Sequence, residues 1–404
     1  MKCETLIIGG GLSGLLCGIS LAGKGRSVAI ISAGQSALHF SSGSFELVDD
    51  VTRLGQFDAS HPYGKMGEDA VLNLAREGSE LLSGAGIKLN GATGKNHYRL
   101  TPIGMFKPAW MTLDDYAMFD SSEKMPWSKI AIVNLEGYLD FYPKFLANGL
   151  EKKGVNCEFY TINLPQLEAL RRSSTEMRAT NIARVLVGDA LSQFAEKINA
   201  SISNVDAVLL PAVVGLFESA PVDELRAMVN VPLYFVPTMP ASVPGVRTQI
   251  QLRNYFQSLG GIYQLGDNVN GGVIEGGRLK CVSTINHGDM QWEAENFVLA
   301  TGSFFSHGLI ASADRVYEPI LGLDVDVKGE RTEWYDKDLY KTQPYMKFGV
   351  ATDGDFHAML NGKVVENLYA IGSVLSGQNP IQDGTGGGIA ITTALHVAGK
   401  LINS

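Results

Sequence analysis

Apolar residues in this chain alternate between two rhythms along most of its length. The run CETLII (3–8) is short and apolar and stops at a cluster of glycines, which reads as a buried strand. LLCGISLAGKG follows and reads as a helix closing near Gly23 or Gly25, where glycine takes the left-handed cap. SVAIIS (27–32) is a second apolar strand, so the chain opens on a βαβ unit. Residues 33–128 are less regular and rich in Gly, Ser and Pro. Within them only 67–84 keeps a helical period, through Val71, Leu74, Ala75, Leu81 and Leu82. From 129 the alternation returns, with a strand over 129–135, a helix over 138–152 and a strand over 155–162. A strand at 206–212, a short helix at 222–229, a strand at 231–237 and a helix at 245–259 follow, the last leading into IYQLG (262–266). A turn-rich β stretch (269–299) ends in ENFVLATG (295–302). The last block is NLYAIG (367–372), a glycine-rich loop through Gly388 and a helix over 389–402. Strands alternating with helices predict an α/β protein with a parallel sheet.

Composition narrows the class. The 404 residues are 45% apolar and 19% charged, ordinary for a globular chain of two or three domains. A net charge of −9 argues against nucleic acid as a partner. Cys3, Cys17, Cys157 and Cys281 are scattered with no C-x-x-C pair, which argues against a zinc site or an iron–sulfur cluster held by this chain alone. They also give no disulfide framework, so a reducing compartment is expected. The opening apolar run is too short for a signal peptide, and no stretch approaches the ~20 apolar residues a bilayer requires. The expectation is a soluble chain, without direct membrane insertion and held at a membrane only by partners.

The strongest motif is G-x-G-x-x-G at Gly9, Gly11 and Gly14, between the first strand and the first helix. Gly9 permits the turn, Gly11 lets a phosphate approach the backbone, and Gly14 lets helix and strand pack closely. Leu12 and Ser13 open the helix, whose N-terminus offers N–H groups and positive charge to that phosphate. A carboxylate normally ends the second strand and holds a ribose. Here the strand ends Ile31-Ser32-Ala33, and Glu46, Asp49 and Asp50 lie too far on. Ser32 can make one hydrogen bond, so the phosphate site is intact and the adenosine site is in doubt. FMN, which has a phosphate and no adenosine, tolerates that loss; a complete glycine loop equally serves the pyrophosphate of FAD.

Further candidates lie downstream. Ala300-Thr301-Gly302 at a strand end suits close approach to a cofactor, or is an ordinary strand exit. Gly372, then Gly386, Gly387 and Gly388 before the last helix, suit the pyrimidine edge of an isoalloxazine ring, where a helix N-terminus stabilises charge gained on reduction; the alternative is a hinge. The hydroxyl-rich GQSALHFSSGS holds Ser36, Ser41, Ser42 and Gly43, candidates for ribityl or flavin contact, or a surface loop. His39 in the same loop is a candidate base. Arg247, after a Pro-rich loop, is a candidate clamp for a phosphate, or a solvated charge. The fold expected is a Rossmann-like flavin-binding domain of the glutathione-reductase-type FAD/NAD(P)-binding fold, formed by 1–128 plus 267–404. An α/β substrate or cap domain (129–266) is inserted in it.

GGGLSGLLCG, GQSALHFSSGS, TEMRATNIAR, LATGSFFSHGL, EPILGLDV and ENLYAIGSVLSG together resemble the B subunits of bacterial anaerobic glycerol-3-phosphate dehydrogenases, from residue 1 to the last helix. The glycine loop is common to many flavoproteins; GQSALHFSSGS and EPILGLDV are specific to this family. The resemblance implies an FMN protein within a three-subunit complex. An A subunit carrying FAD pairs with it, and an iron–sulfur C subunit anchors the pair at the cytoplasmic face of the inner membrane. The implied reaction oxidises sn-glycerol 3-phosphate to dihydroxyacetone phosphate and passes electrons to menaquinone, then to fumarate or nitrate. Two roles stay open, an enzyme subunit with its own flavin chemistry and a non-catalytic electron relay or assembly subunit next to a catalytic A subunit.

Overall fold

Parallel strands covered on both faces need apolar residues on both faces, and the N-terminal run supplies them. In the computed structural model, which describes residues 1–172 and 176–403, Lys2–Ile8 forms strand β1, and Leu6 and Ile7 are fully buried. Thr175, the first residue of TEMRATNIAR, lies outside the described residues. Helix α1 (Leu12–Ala22) buries Leu15, Leu16 and Cys17. Strand β2 (Val28–Ser32) is buried along its whole length.

The chain divides into two units. The first comprises Met1–Ala37, Phe45–Gly86 and Leu252–Ser404. Its sheet places β3 (Ile262–Leu265) beside β2, β2 beside β1, β1 beside β4 (Gln291–Leu299) and β4 beside β5 (Lys363–Ala370), all parallel. Ile8 lies opposite both Ile31 and Leu299, Ser32 opposite Leu265, and Leu299 opposite Ala370. The C-terminal ends of the strands therefore share one edge. The order reverses between β1 and β4, and that switch point is where open α/β sheets form a ligand crevice. Antiparallel strands Val269–Glu275 and Arg278–Thr284 extend the sheet from the N-terminal half of β4. The last helix, α2 (Gly386–Asn403), is buried all round through Ile391, Thr392, Thr393, Ala394 and Leu395, and its Ile391 stands 2.2 Å from where a Cβ at Gly78 would be.

The second unit comprises Leu38–Ser44 and Ile87–Gln251. It carries its own four-stranded parallel sheet, Asn156–Ile162, Lys129–Leu135, Ala207–Pro211 and Leu233–Val236 in that order. These boundaries differ from 128/129 and 266/267. Residues 87–128 group with the second unit, where Phe235 N–H donates to Asp115 O at 2.9 Å. Residues 252–266 group with the first, because Ile262–Leu265 pairs with β2. The helix expected over 138–152 begins only at Pro143, since Gly137 turns the chain at positive φ before it. Among the described residues no helix is long and apolar enough to cross a membrane.

Candidate functional site

At the edge of the first sheet, Gly9 has φ +118, and a Cβ there would stand 2.2 Å from Ala300 O. Only glycine fits the turn that brings the ends of β1 and β4 together. A Cβ at Gly14 would stand 2.0 Å from Gly9 O, so the start of α1 sits directly on the strand. Gly11 differs from both. The nearest atom to its added Cβ is Ser36 Cβ, 3.9 Å away, so its backbone faces open space. No side chain caps α1 at Gly11. The first-turn N–H groups of a helix have no intrahelical acceptor, which makes this opening suited to an anion.

The turn at Gly372 meets this loop. A Cβ at Gly372 (φ +73) would stand 2.6 Å from Ser13 Oγ, and Gly372 N–H donates to Thr393 Oγ1 at 2.9 Å. A Cβ at Gly302 would lie 3.6 Å from Ser373 Oγ. Gly387 and Gly388 pack on the backbone of Phe45–Leu47, and Gly388 N–H donates to Glu46 O at 2.8 Å. Gly386 opens α2. Three oxygens in these segments are buried without a hydrogen-bond partner, namely Thr301 Oγ1, Gln378 Oε1 and Thr385 Oγ1. Gln378 and Thr385 are 3% and 0% exposed. Burying a polar group unpaired costs about 1–3 kcal/mol, so orphans gathered after two neighbouring strands fit a polar cofactor that pairs with them.

The adenosine side is built differently. Ser32 Oγ lies 2.6 Å, and Tyr263 Oη 2.1 Å, from where a Cβ at Gly10 would be. Tyr263 Oη donates to Gly10 O at 3.3 Å. Two hydroxyls thus close on the loop where a carboxylate usually waits for a ribose. Tyr263 carries no sequence signal, because its neighbour Gly10 is 253 positions away.

His39, Ser41, Ser42 and Gly43 lie in the second unit. Ser41 Oγ accepts from Gly43 N–H at 3.1 Å, and Ser42 Oγ accepts from Arg99 at 2.6 Å. Ser44 Oγ accepts from the same guanidinium. His39 is half-buried, its carbonyl accepts from Ser242 N–H at 2.7 Å, and its ring bonds to Gln249. Burial lowers its pKa below the ordinary histidine value, against the Gln249 contact. Arg247, expected as an open clamp, is 3% exposed and commits both Nη groups. Nη2 pairs with Asp115 at 2.5 and 2.6 Å, and Nη1 donates to Gly215 O at 2.8 Å. A guanidinium fixed in this way is a structural ion pair. Asp115 is 132 residues away, so the sequence offered no sign of it.

The FAD binding domain family matches residues 4–389. The B subunit of the anaerobic glycerol-3-phosphate dehydrogenase of Yersinia enterocolitica is 42% identical over 419 residues, covering all of this chain and 99% of that protein. The protein of the same name from Pectobacterium atrosepticum is 38% identical over 416 residues, with the same coverage. Among solved structures, 3-ketosteroid delta1-dehydrogenase from Sterolibacterium denitrificans aligns with all of this chain and 99% of its own at TM-score 0.46 and 10% identity.

Proposed function

The chain belongs to the family of anaerobic glycerol-3-phosphate dehydrogenase B subunits, within the FAD binding domain family, and from that premise we propose how its flavin is held and what it does. It is a flavin-dependent oxidoreductase subunit of a multi-subunit complex. In our reading the complex oxidises sn-glycerol 3-phosphate, and the chain works beside an FAD-containing A subunit and an iron–sulfur C subunit. These partners hold it at the cytoplasmic face of the inner membrane.

The observation that carries the reading is the crevice between β1 and β4 with its open Gly11 backbone, together with the orphaned oxygens of Thr301 after β4 and of Gln378 and Thr385 after β5. A flavin held here would supply two-electron redox chemistry. Gly11, Leu12, Ser13 and Gly14 would hold the phosphate through backbone N–H groups, while Gly9, whose N–H donates to Ile31 O at 2.9 Å, makes the turn that places them. Ala300, Thr301 and Gly302, together with Gly372, Gln378 and Thr385, would line the ring. Gly386, Gly387 and Gly388 turn the positive end of α2 toward the site. The match to the FAD binding domain family favours FAD; our reading is FMN, on the ground that Ser32 ends β2 where a ribose-binding acid usually stands and that Tyr263 Oη donates to Gly10 O beside it. Heat release and mass measurement of the flavin from the purified chain test this assignment; FAD as the released species overturns it.

His39 remains our candidate to take the substrate proton, since burial keeps its ring neutral near pH 7. One observation favours the second reading, a flavin relay or assembly subunit whose catalytic partner is the A subunit. The one arginine expected to bind substrate phosphate is locked to Asp115. Anaerobic mixing of the flavin-loaded chain with sn-glycerol 3-phosphate separates the two. Bleaching of the flavin without the A subunit supports the enzyme reading, and an unreduced flavin supports the relay.

A further inference from the structure

One buried side chain beside the segment 377–388 is left with an unmet hydrogen bond that none of the roles above uses. His61 is 4% exposed. It caps the helix Pro62–Met66, its Nδ1 accepting from Tyr63 N–H at 3.1 Å. An imidazole whose Nδ1 accepts carries its proton on Nε2. That Nε2–H is buried and has no acceptor. Burial also pushes the ring down to a pKa of about 4, so it is neutral in ordinary buffers. Its plane is fixed by a stack on Phe57 at 3.9 Å and an edge contact with Tyr63.

Its surroundings point to a ligand. A Cβ at Gly377 would stand 2.1 Å from Ser60 O and 3.4 Å from His61 Cα. Tyr63 Oη stands 2.1 Å from where a Cβ at Gly388 would be. His61 and its neighbours therefore pack against both ends of the segment 377–388, which holds the orphaned acceptors Gln378 Oε1 and Thr385 Oγ1. A donor and two acceptors, all buried and all unmet, border one stretch of chain. Gln378 has already spent its amide N–H groups on Gly372 O and Leu375 O, at 3.0 and 3.1 Å.

We propose that His61 is a flavin-binding residue whose Nε2–H donates to the pyrimidine side of the ring. This rests on the flavin reading given above. A neutral donor there binds the oxidised ring and binds it more strongly once reduction adds negative charge, because hydrogen bonds to charged acceptors are worth more.

Two variants and one spectrum test it in the full chain. His61→Ser keeps a helix cap but withdraws the donor. It should weaken binding of the reduced flavin over the oxidised by about tenfold, which moves the reduction potential negative. His61→Gln restores an N–H at similar reach and should recover most of that ratio. In wild type labelled with 15N-histidine, the Nε2–H signal of His61 should shift on flavin removal. Equal potentials in all three proteins, or a signal indifferent to flavin, overturn the proposal even if the variants fold. A change confined to the KM for substrate overturns it as well. A wild-type chain that holds no flavin under any condition instead sinks the reading on which the proposal rests.

Discussion

Two regions invited a functional reading, and the structure treats them differently. The glycine loop after β1 acts through its backbone. A Cβ would collide at Gly9 and Gly14 but not at Gly11. The serine-rich loop at 38–44 acts through side chains, and the second unit takes up several of them. Ser41 turns back on Gly43, and Ser42 and Ser44 receive the Arg99 guanidinium. A glycine pattern reports steric demands that hold wherever the chain meets it. A run of hydroxyls reports only that hydrogen bonds will be made, without saying to what.

The largest expected effect separates backbone from side chain. Gly11→Val places a branched side chain in the open space a phosphate would enter, at a backbone conformation (φ −83) that valine accepts. The chain should fold and retain no flavin, measured by absorbance of the protein and circular dichroism. Full flavin content in a folded variant would show that the open face of Gly11 holds nothing.

Next comes the ion pair of the second unit. Arg247→Gln leaves Asp115, 6% exposed, without its bidentate partner. Breaking a buried pair from one side costs about 3–5 kcal/mol. Urea denaturation should show that loss, with flavin content unchanged at low urea. A stable variant with a raised KM would return Arg247 to the substrate site.

The two units each bury a histidine outside these loops, His61 in the first and His97 in the second, and these set an acid limit. Burial lowers His61 and His97 to about 4, against 6.5 for a free ring. Asp58 opposes and Lys347 reinforces the shift at His61; Asp120 opposes and Arg99 reinforces it at His97. With the folded value below the unfolded one, the unfolded chain binds more protons between these limits. Stability is therefore complete above pH 6.5 and falls as pH drops toward 4, by up to roughly 3 kcal/mol for each ring. His97→Gln and His61→Gln should each flatten that slope in urea titrations at pH 4 to 7. A slope unchanged in both would show that other groups carry the acid limit.

What the sequence made legible follows the same division. β1, β2, β4 and α1 stand out because apolar runs and glycines are local signals. The helix Asp189–Ser201 passes unnoticed, since it starts at Gly188 with no side-chain cap. Residues 87–128 form short antiparallel strands such as His97–Leu100 and Phe106–Ala109, too brief for a period to emerge. At the site, the glycines can be read from spacing alone. The pairing of Arg247 with Asp115 cannot, and neither can the unpartnered Nε2 of His61, because both are set by what the fold brings near them.

The smallest expected effect bears on which flavin the loop accepts. Tyr263 and Ser32 crowd Gly10 at the end of β2, where dinucleotide folds usually carry a ribose-binding acid. If Tyr263 fills that place, Tyr263→Ala should leave FMN affinity within twofold and tighten FAD by about tenfold, roughly 1.4 kcal/mol. Tyr263→Phe keeps the ring and removes only the bond to Gly10 O, so it should tighten FAD far less. Titrating deflavinated protein with each flavin, followed by fluorescence quenching, measures both. If Tyr263→Ala instead loses FAD affinity while wild type binds FAD well, the hydroxyl is a ribose partner standing in for the absent acid. The loop then serves a dinucleotide despite Ser32.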